Sequence, residues 1–180
     1  KKKGLSEPHP EHKIFPYLLA NLNIRKPNQV WGSDITYVKV VGGWAYLIAI
    51  LDWFSRYVVS WTLAPTLEKE FVIQTYERAL KMATPEYSNS DQGSQFTANE
   101  LINLLAEEKI KISMDGRGRC MDNIFTERLW RTVKYENVYP MRYENFKEAE
   151  SGLKRYFDFY NNERRHQSLD YKIPAEVYFK

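Results

Sequence analysis

The sequence predicts an α/β fold in which helices cover both faces of a mixed β-sheet. Three observations carry that expectation. Three β-forming runs follow one another within residues 30–63. Beyond residue 67, segments of helical spacing alternate with short strand-like ones. The composition, 43% hydrophobic and 27% charged over 180 residues, is that of a globular chain. A chain of this length buries roughly 70% of the surface its unfolded form exposes, so one domain can fold without disulfides or structural metal.

Taken in order, residues 1–28 hold Lys1-Lys2-Lys3, Pro8, Pro10, Pro16 and Pro27 without sustained periodicity. They read as a tail or linker, cut from something longer, that enters a domain at 29–180 rather than forming part of its core. Residues 30–41 are rich in β-forming side chains, Gly42-Gly43 supplies a two-residue turn, and 44–51 is a second apolar run, which together make a hairpin. A third strand over 57–63 follows so closely that it is expected beside the second, antiparallel. Residues 67–82 place Phe71, Val72, Thr75, Tyr76, Ala79 and Leu80 at helical spacing, with Thr66 as N-cap and Pro85 past the end. A strand at 87–90, a loop, a helix capped by Thr97, a brief strand at 111–113 and a Gly/Arg loop come next. A helix from Asp122 or Asn123 to about 136 and another over about 145–160 complete the order, the part from about 141 being a C-terminal helical extension.

Net charge is only +3, from 26 Lys and Arg against 23 Asp and Glu. That permits an acidic polymer as partner without requiring one. The single cysteine, Cys120, cannot form an internal disulfide. No secretory signal or run of 18 apolar residues occurs, so a soluble, cytoplasmic protein is expected and a membrane role is not. His9, His12 and Cys120 are too few and too far apart for a zinc site. The five tryptophans read as core and sheet-face residues rather than as platforms for stacking bases.

Four carboxylates stand out. Asp34 interrupts the β-forming run Trp31-Gly32-Ser33-Asp34-Ile35-Thr36-Tyr37, where alternation sets Asp34, Thr36 and Val38 on the face opposite Ile35 and Tyr37. A charge in such a run is costly unless used. Asp52 ends the second strand and reads as an exposed cap or a partner for Arg56. Asp91 precedes Gly93 and can be explained by a turn. Glu127 lies on a helix whose apolar side carries Ile124, Phe125, Leu129, Trp130 and Val133, while Glu127, Arg131 and Lys134 line the other side as a solvated salt-bridge face or as something more.

Asp34, Asp91 and Glu127 have 56 and then 35 residues between them. The run around Asp34, together with Asn89-Ser90-Asp91-Gln92-Gly93-Ser94-Gln95-Phe96, Asp122-Asn123-Ile124-Phe125-Thr126-Glu127-Arg128 and Tyr160-Asn161-Asn162-Glu163-Arg164-Arg165-His166-Gln167-Ser168-Leu169, resembles the DDE transposase and retroviral integrase superfamily. More narrowly these words resemble the integrase-like transposase subunit of bacterial insertion elements of the insertion-sequence-3 family. The resemblance implies a ribonuclease-H-like fold, a five-stranded mixed sheet in spatial order 3-2-1-4-5 with helices on both faces. It also implies that Asp34 on the central strand, Asp91 after the fourth and Glu127 on a nearby helix act as metal ligands and catalytic residues. Two Mg²⁺ ions are the implied cofactor, with Mn²⁺ as substitute, because three neighbouring carboxylates cannot all ionise cheaply without a cation and hard ions take oxygen ligands.

The implied activity is cleavage at a DNA 3′ end followed by strand transfer, a transesterification, with double-stranded DNA as substrate and a homo-multimer acting on it. No helix-turn-helix is visible before residue 14, so end recognition is expected from an N-terminal region or a partner subunit outside this chain. Alternatives are a ribonuclease-H-like nuclease and a domesticated, non-catalytic DNA-binding module. Between Arg117 and Lys134 five cations (Arg117, Arg119, Arg128, Arg131, Lys134) face two acids (Asp122, Glu127), a basic patch expected to hold phosphates. Lys134 is favoured among these. Arg128 and Arg131 could instead pair with Asp122 and Glu127. Asn123 is read as a helix cap that also touches DNA. The Gly116-Arg117-Gly118-Arg119 loop is expected to order only when DNA and metal bind. The cluster Arg164, Arg165 and His166 has no role derivable from the sequence.

Overall fold

Alternating β-branched and aromatic residues build β1 (Val30–Val40), and Gly42, at φ 86°, turns the chain into β2 (Gly43–Asp52). The computed structural model from which these elements are taken describes residues 13–116 and 123–180. β3 (Val58–Ala64) returns antiparallel to β2, and α1 (Lys69–Leu80) crosses to β4 (Tyr87–Ser90), which lies parallel to β1. α2 (Asn99–Glu107) leads to β5 (Lys111–Met114), parallel to β4. The five strands stand in the order β3-β2-β1-β4-β5, as expected, with β1 in the centre.

α3 (Ile124–Val133) does not end near residue 136. It continues through a π-helical turn (Lys134–Val138) and the short α4 (Tyr139–Met141), and stops at Arg142, which takes a left-handed conformation with φ 48°. α5 (Phe146–Asn162) starts where the Asn145 side chain accepts the Glu148 N–H at 2.9 Å, and α6 (Pro174–Tyr178) closes the chain. Two caps differ from expectation. α1 begins after Glu68 rather than Thr66, and α2 begins after Ala98, while the Thr97 hydroxyl donates to the Gly93 carbonyl at 3.1 Å.

The sheet has a core on each face. One gathers Val38, Leu47, Ala49 and Leu51 with Leu129, Trp130 and Val133 of α3 and Leu153, Tyr156 and Phe157 of α5. The other gathers Trp31, Ile48 and Ile50 with Val72, Tyr76 and Ala79 of α1 and Leu101 and Leu105 of α2. The C-terminal helix is therefore an integral wall of the first core. Asn161 fixes it to the sheet by acting as a strand's peptide would: its side chain accepts from Val58 N and donates to Val58 O, both at 2.9 Å. The lead-in is also tied down. Residues 13–29 form neither helix nor strand, yet Leu19 is buried in the first core and Leu18 N donates to the Ser113 hydroxyl at 3.0 Å. Among the tryptophans, Trp31, Trp53 and Trp130 are buried as expected, but Trp44 is 58% exposed. Among the described residues no helix is long and apolar enough to cross a membrane.

Candidate active site

Strand register brings the first two acids together. Gly32 of β1 pairs with Asn89 of β4, the last pair of that parallel ladder, so Asp34 follows two residues later on β1 and Asp91 just past the end of β4, on the same side of the sheet's end. Such strands lie about 4.8 Å apart. Glu127 arrives from α3, which is held to β1 by two hydrogen bonds and braced by a third within its own first turn. The Trp130 indole donates to Asp34 Oδ2 at 2.9 Å, the Asn123 amide donates to the Ser33 carbonyl at 3.4 Å, and the Thr126 hydroxyl donates to Asn123 Oδ1 at 2.6 Å.

That close approach depends on Gly32. A Cβ there would fall well inside the van der Waals surface of the Trp53 indole and 3.0 Å from Thr126 Oγ1. A larger residue would push α3, and Glu127 with it, off the sheet.

The electrostatics record the convergence. The Asp34 carboxyl is raised from 3.8 to about 6, mainly by burial; hydrogen bonds from Trp130 and the Ile35 amide oppose the rise, and the charges of Asp91 and Glu127 add to it. Both other acids are thus near enough to repel it. They are exposed, whereas Asp34 is half-buried. Asp91 Oδ1 accepts the Gly93 amide at 2.8 Å, the local turn that the sequence allows, and Glu127 has no ion-pair partner among the described residues. As placed, no three His, Cys, Asp or Glu side chains among the described residues stand close enough to hold a metal ion. The donor types, carboxylate oxygens only, are those a hard divalent cation takes.

The basic residues divide. Arg131 is exposed one turn beyond Glu127, and Lys134, half-buried, follows one turn later. Arg128 instead neighbours Arg56, whose guanidinium sits 3.7 Å from the centre of the Phe125 ring and is lowered to about 10 by burial. Asn123 is buried, with its hydrogen bonds directed to Ser33 and Thr126, so its side chain serves to seat α3 and does not face outward. Arg117, Arg119, Asp122 and most of their loop lie outside the described residues. Asp52 corrects an expectation: it is completely buried, and its carboxylate accepts from Asn28 N, Ser55 N and Ser55 Oγ at 2.6–2.7 Å, joining the lead-in to the turn after β2. The role of Arg164 also emerges. It forms a two-pronged ion pair with Glu136, at 2.8 and 2.6 Å, and so straps the C-terminal segment to the π-helical turn.

Sequence reasoning missed the support beneath the acids. Ser33, Tyr76 and Ser88 form a buried hydroxyl chain, with successive oxygens 2.7 Å apart, linking β1, α1 and β4 just below Asp34 and Asp91. Asn89, also buried, donates to Asp115 Oδ1 at 2.8 Å. Polar residues inside otherwise apolar strands were the available signal, since a buried hydroxyl or amide needs a partner. Trp130 gave a similar one: a buried indole N–H on an apolar helix face must find an acceptor.

A five-stranded sheet of this order, bearing three acids at the junction of its central strand, a parallel neighbour and a helix, is the ribonuclease-H-like arrangement. Two family models, each described as an integrase core domain, match residues 24–120 and 108–174, and the chain belongs to that family. It is 35% identical, across 83% of its length and 56% of the relative's, to the uncharacterized 31 kDa protein of insertion element IS600 of Shigella sonnei. It is 30% identical to the transposase of insertion sequence element IS904 of Lactococcus lactis, across 98% of its length and 68% of the relative's. The chain spans about half to two thirds of the curated relatives it matches. Its fold is that of the HTLV-2 integrase catalytic core domain solved with magnesium (TM-score 0.69, 18% identity, 85% of this chain and 97% of that one). A chain of the simian T-cell lymphotropic virus intasome matches with TM-score 0.75 and 18% identity, over 96% of this chain and 61% of that one.

Proposed function

We propose that this chain is the catalytic core of a DNA transposase that cleaves a DNA 3′ end and joins it to a second duplex. The observation that supports the reading is that Asp91, beyond the end of β4, and Glu127, on α3, both lie near enough to Asp34 of the central strand to repel its charge. Asp34 is the fixed member, oriented by Trp130 and the Ile35 amide. Asp91 and Glu127 are exposed and complete the ligand set by side-chain rotation. Divalent cations, two Mg²⁺ or Mn²⁺, supply when bound the positive charge that activates the attacking oxygen and steadies the leaving one. Lys134 and Arg131 hold the phosphates of the DNA beside the acids, and Arg128, Arg117 and Arg119 extend the basic surface. A multimer acting on paired DNA ends, in the cytoplasm, completes the proposal.

The test is incubation of the chain with a pre-nicked element end and a target duplex in Mg²⁺. Joined products support a transposase, and their loss in Asp34→Asn, Asp91→Asn and Glu127→Gln assigns the three acids. Cleavage without joining would mark a nuclease, and binding without either would mark a non-catalytic module.

A further inference from the structure

We propose that the turn end of the β1–β2 hairpin is a stacking site for an unpaired nucleotide of the DNA strand that runs past the acids. The inference deepens the reading of the chain as a DNA-acting core and rests on it. Tyr37, Trp44, Tyr46 and Tyr139, with Lys39 and Lys134, line a hollow of about 520 Å³, within the range of small-ligand sites. Three of its rings stand in solvent, Trp44 being 58% exposed and Tyr37 and Tyr139 each 53%, while Tyr46 packs half-buried against the second core. They are nonetheless braced, with Tyr37 edge-on to Trp44 at 6.3 Å between ring centres and 5.3 Å from Tyr46. Pre-set aromatic faces beside cations are what binds unpaired nucleotides, because every base has a face to stack and every nucleotide a phosphate to neutralise.

The charge selects the occupant. Among the described residues no carboxylate lines the hollow, and a neighbouring one of about 290 Å³ adds Arg142 and shares Lys39. A second copy docking symmetrically would set Lys39 and Lys134 against like charges, whereas a polyanion is complementary. Lys134 also joins the hollow to the acids. It lies seven residues beyond Glu127 on one continuous helical run, about 10 Å along the axis, a span of about three steps of a DNA strand.

The experiment compares binding of a blunt duplex and of the same duplex with three unpaired terminal nucleotides, by fluorescence anisotropy of the whole chain without divalent ion. The chain and Trp44→Phe are expected to favour the unpaired end about tenfold, and Trp44→Ala is expected to bind both alike. Equal binding of the two duplexes by the unaltered chain, or a preference that survives in Trp44→Ala, overturns the proposal. So does a Trp44→Ala variant that changes only the sedimenting mass, which would assign the hollow to a second copy. Joining of DNA in Mg²⁺ without the preference defeats the stacking site alone. The preference without joining defeats the transposase reading and leaves the stacking site standing.

Discussion

Replacing Asp34 by Asn removes a charge that the fold holds at a cost, and should make the metal-free protein more stable at neutral pH. The folded carboxyl titrates near 6 instead of 3.8. The folded state therefore binds its proton more tightly than the unfolded chain, and this residue's contribution to stability is greatest below about pH 4 and falls as pH rises to about 6. At about 1.4 kcal/mol per pKa unit, the full loss is about 3 kcal/mol. Asn returns part of that gain. It has one acceptor oxygen where Asp34 serves both Trp130 and the Ile35 amide, so one half-buried donor goes unmet at about 1 kcal/mol. The expected net gain above pH 7 is about 2 kcal/mol, vanishing or reversing near pH 3.5. His166 opposes this trend in both proteins: burial and the nearby Arg164 and Arg56 lower it to about 4, so its contribution rises with pH between about 4 and 6.5. Urea denaturation of both proteins from about pH 3.5 to about pH 8 in a chelator isolates Asp34, because the His166 effect cancels in the difference. A difference that is flat across this range, or an Asn variant less stable at the alkaline end, would refute the strained-carboxylate account.

Gly32→Ala is expected to destabilise the protein by about 3 kcal/mol through overpacking against Trp53 and Thr126, and to lower strand transfer further by displacing Glu127. Thermal melts and joining assays at a temperature where the variant is folded separate the two effects. Asn161→Ala strips both partners from the Val58 backbone and should cost about 2 kcal/mol, read as a lower urea midpoint with an unchanged slope.

Much of the fold was legible in the chain because its strands are rich in β-forming residues and separated by clear punctuation. Gly42-Gly43 marked the hairpin, and the apolar side of α3 is the one containing Leu129, Trp130 and Val133, which are buried. Boundaries were less legible where tertiary contacts override local preference. α3 runs on past residue 136 because Val138 packs into the first core, and Thr66 and Thr97 have good capping chemistry at positions where the helices do not begin. Asp52 looked like a surface residue because its partners Asn28 and Ser55 reach it only after folding.

The sequence by itself determined the order of strands and helices, the family words and the three acids, because these depend on periodicity and residue type along the chain. Only the tertiary structure decided that Trp130 orients Asp34, that Gly32 admits the helix, that Asn123 faces inward and that Trp44 stands in solvent. Each of those depends on which side chains meet across distances of up to 96 residues, as for Trp130 and Asp34, and no local pattern encodes such a meeting.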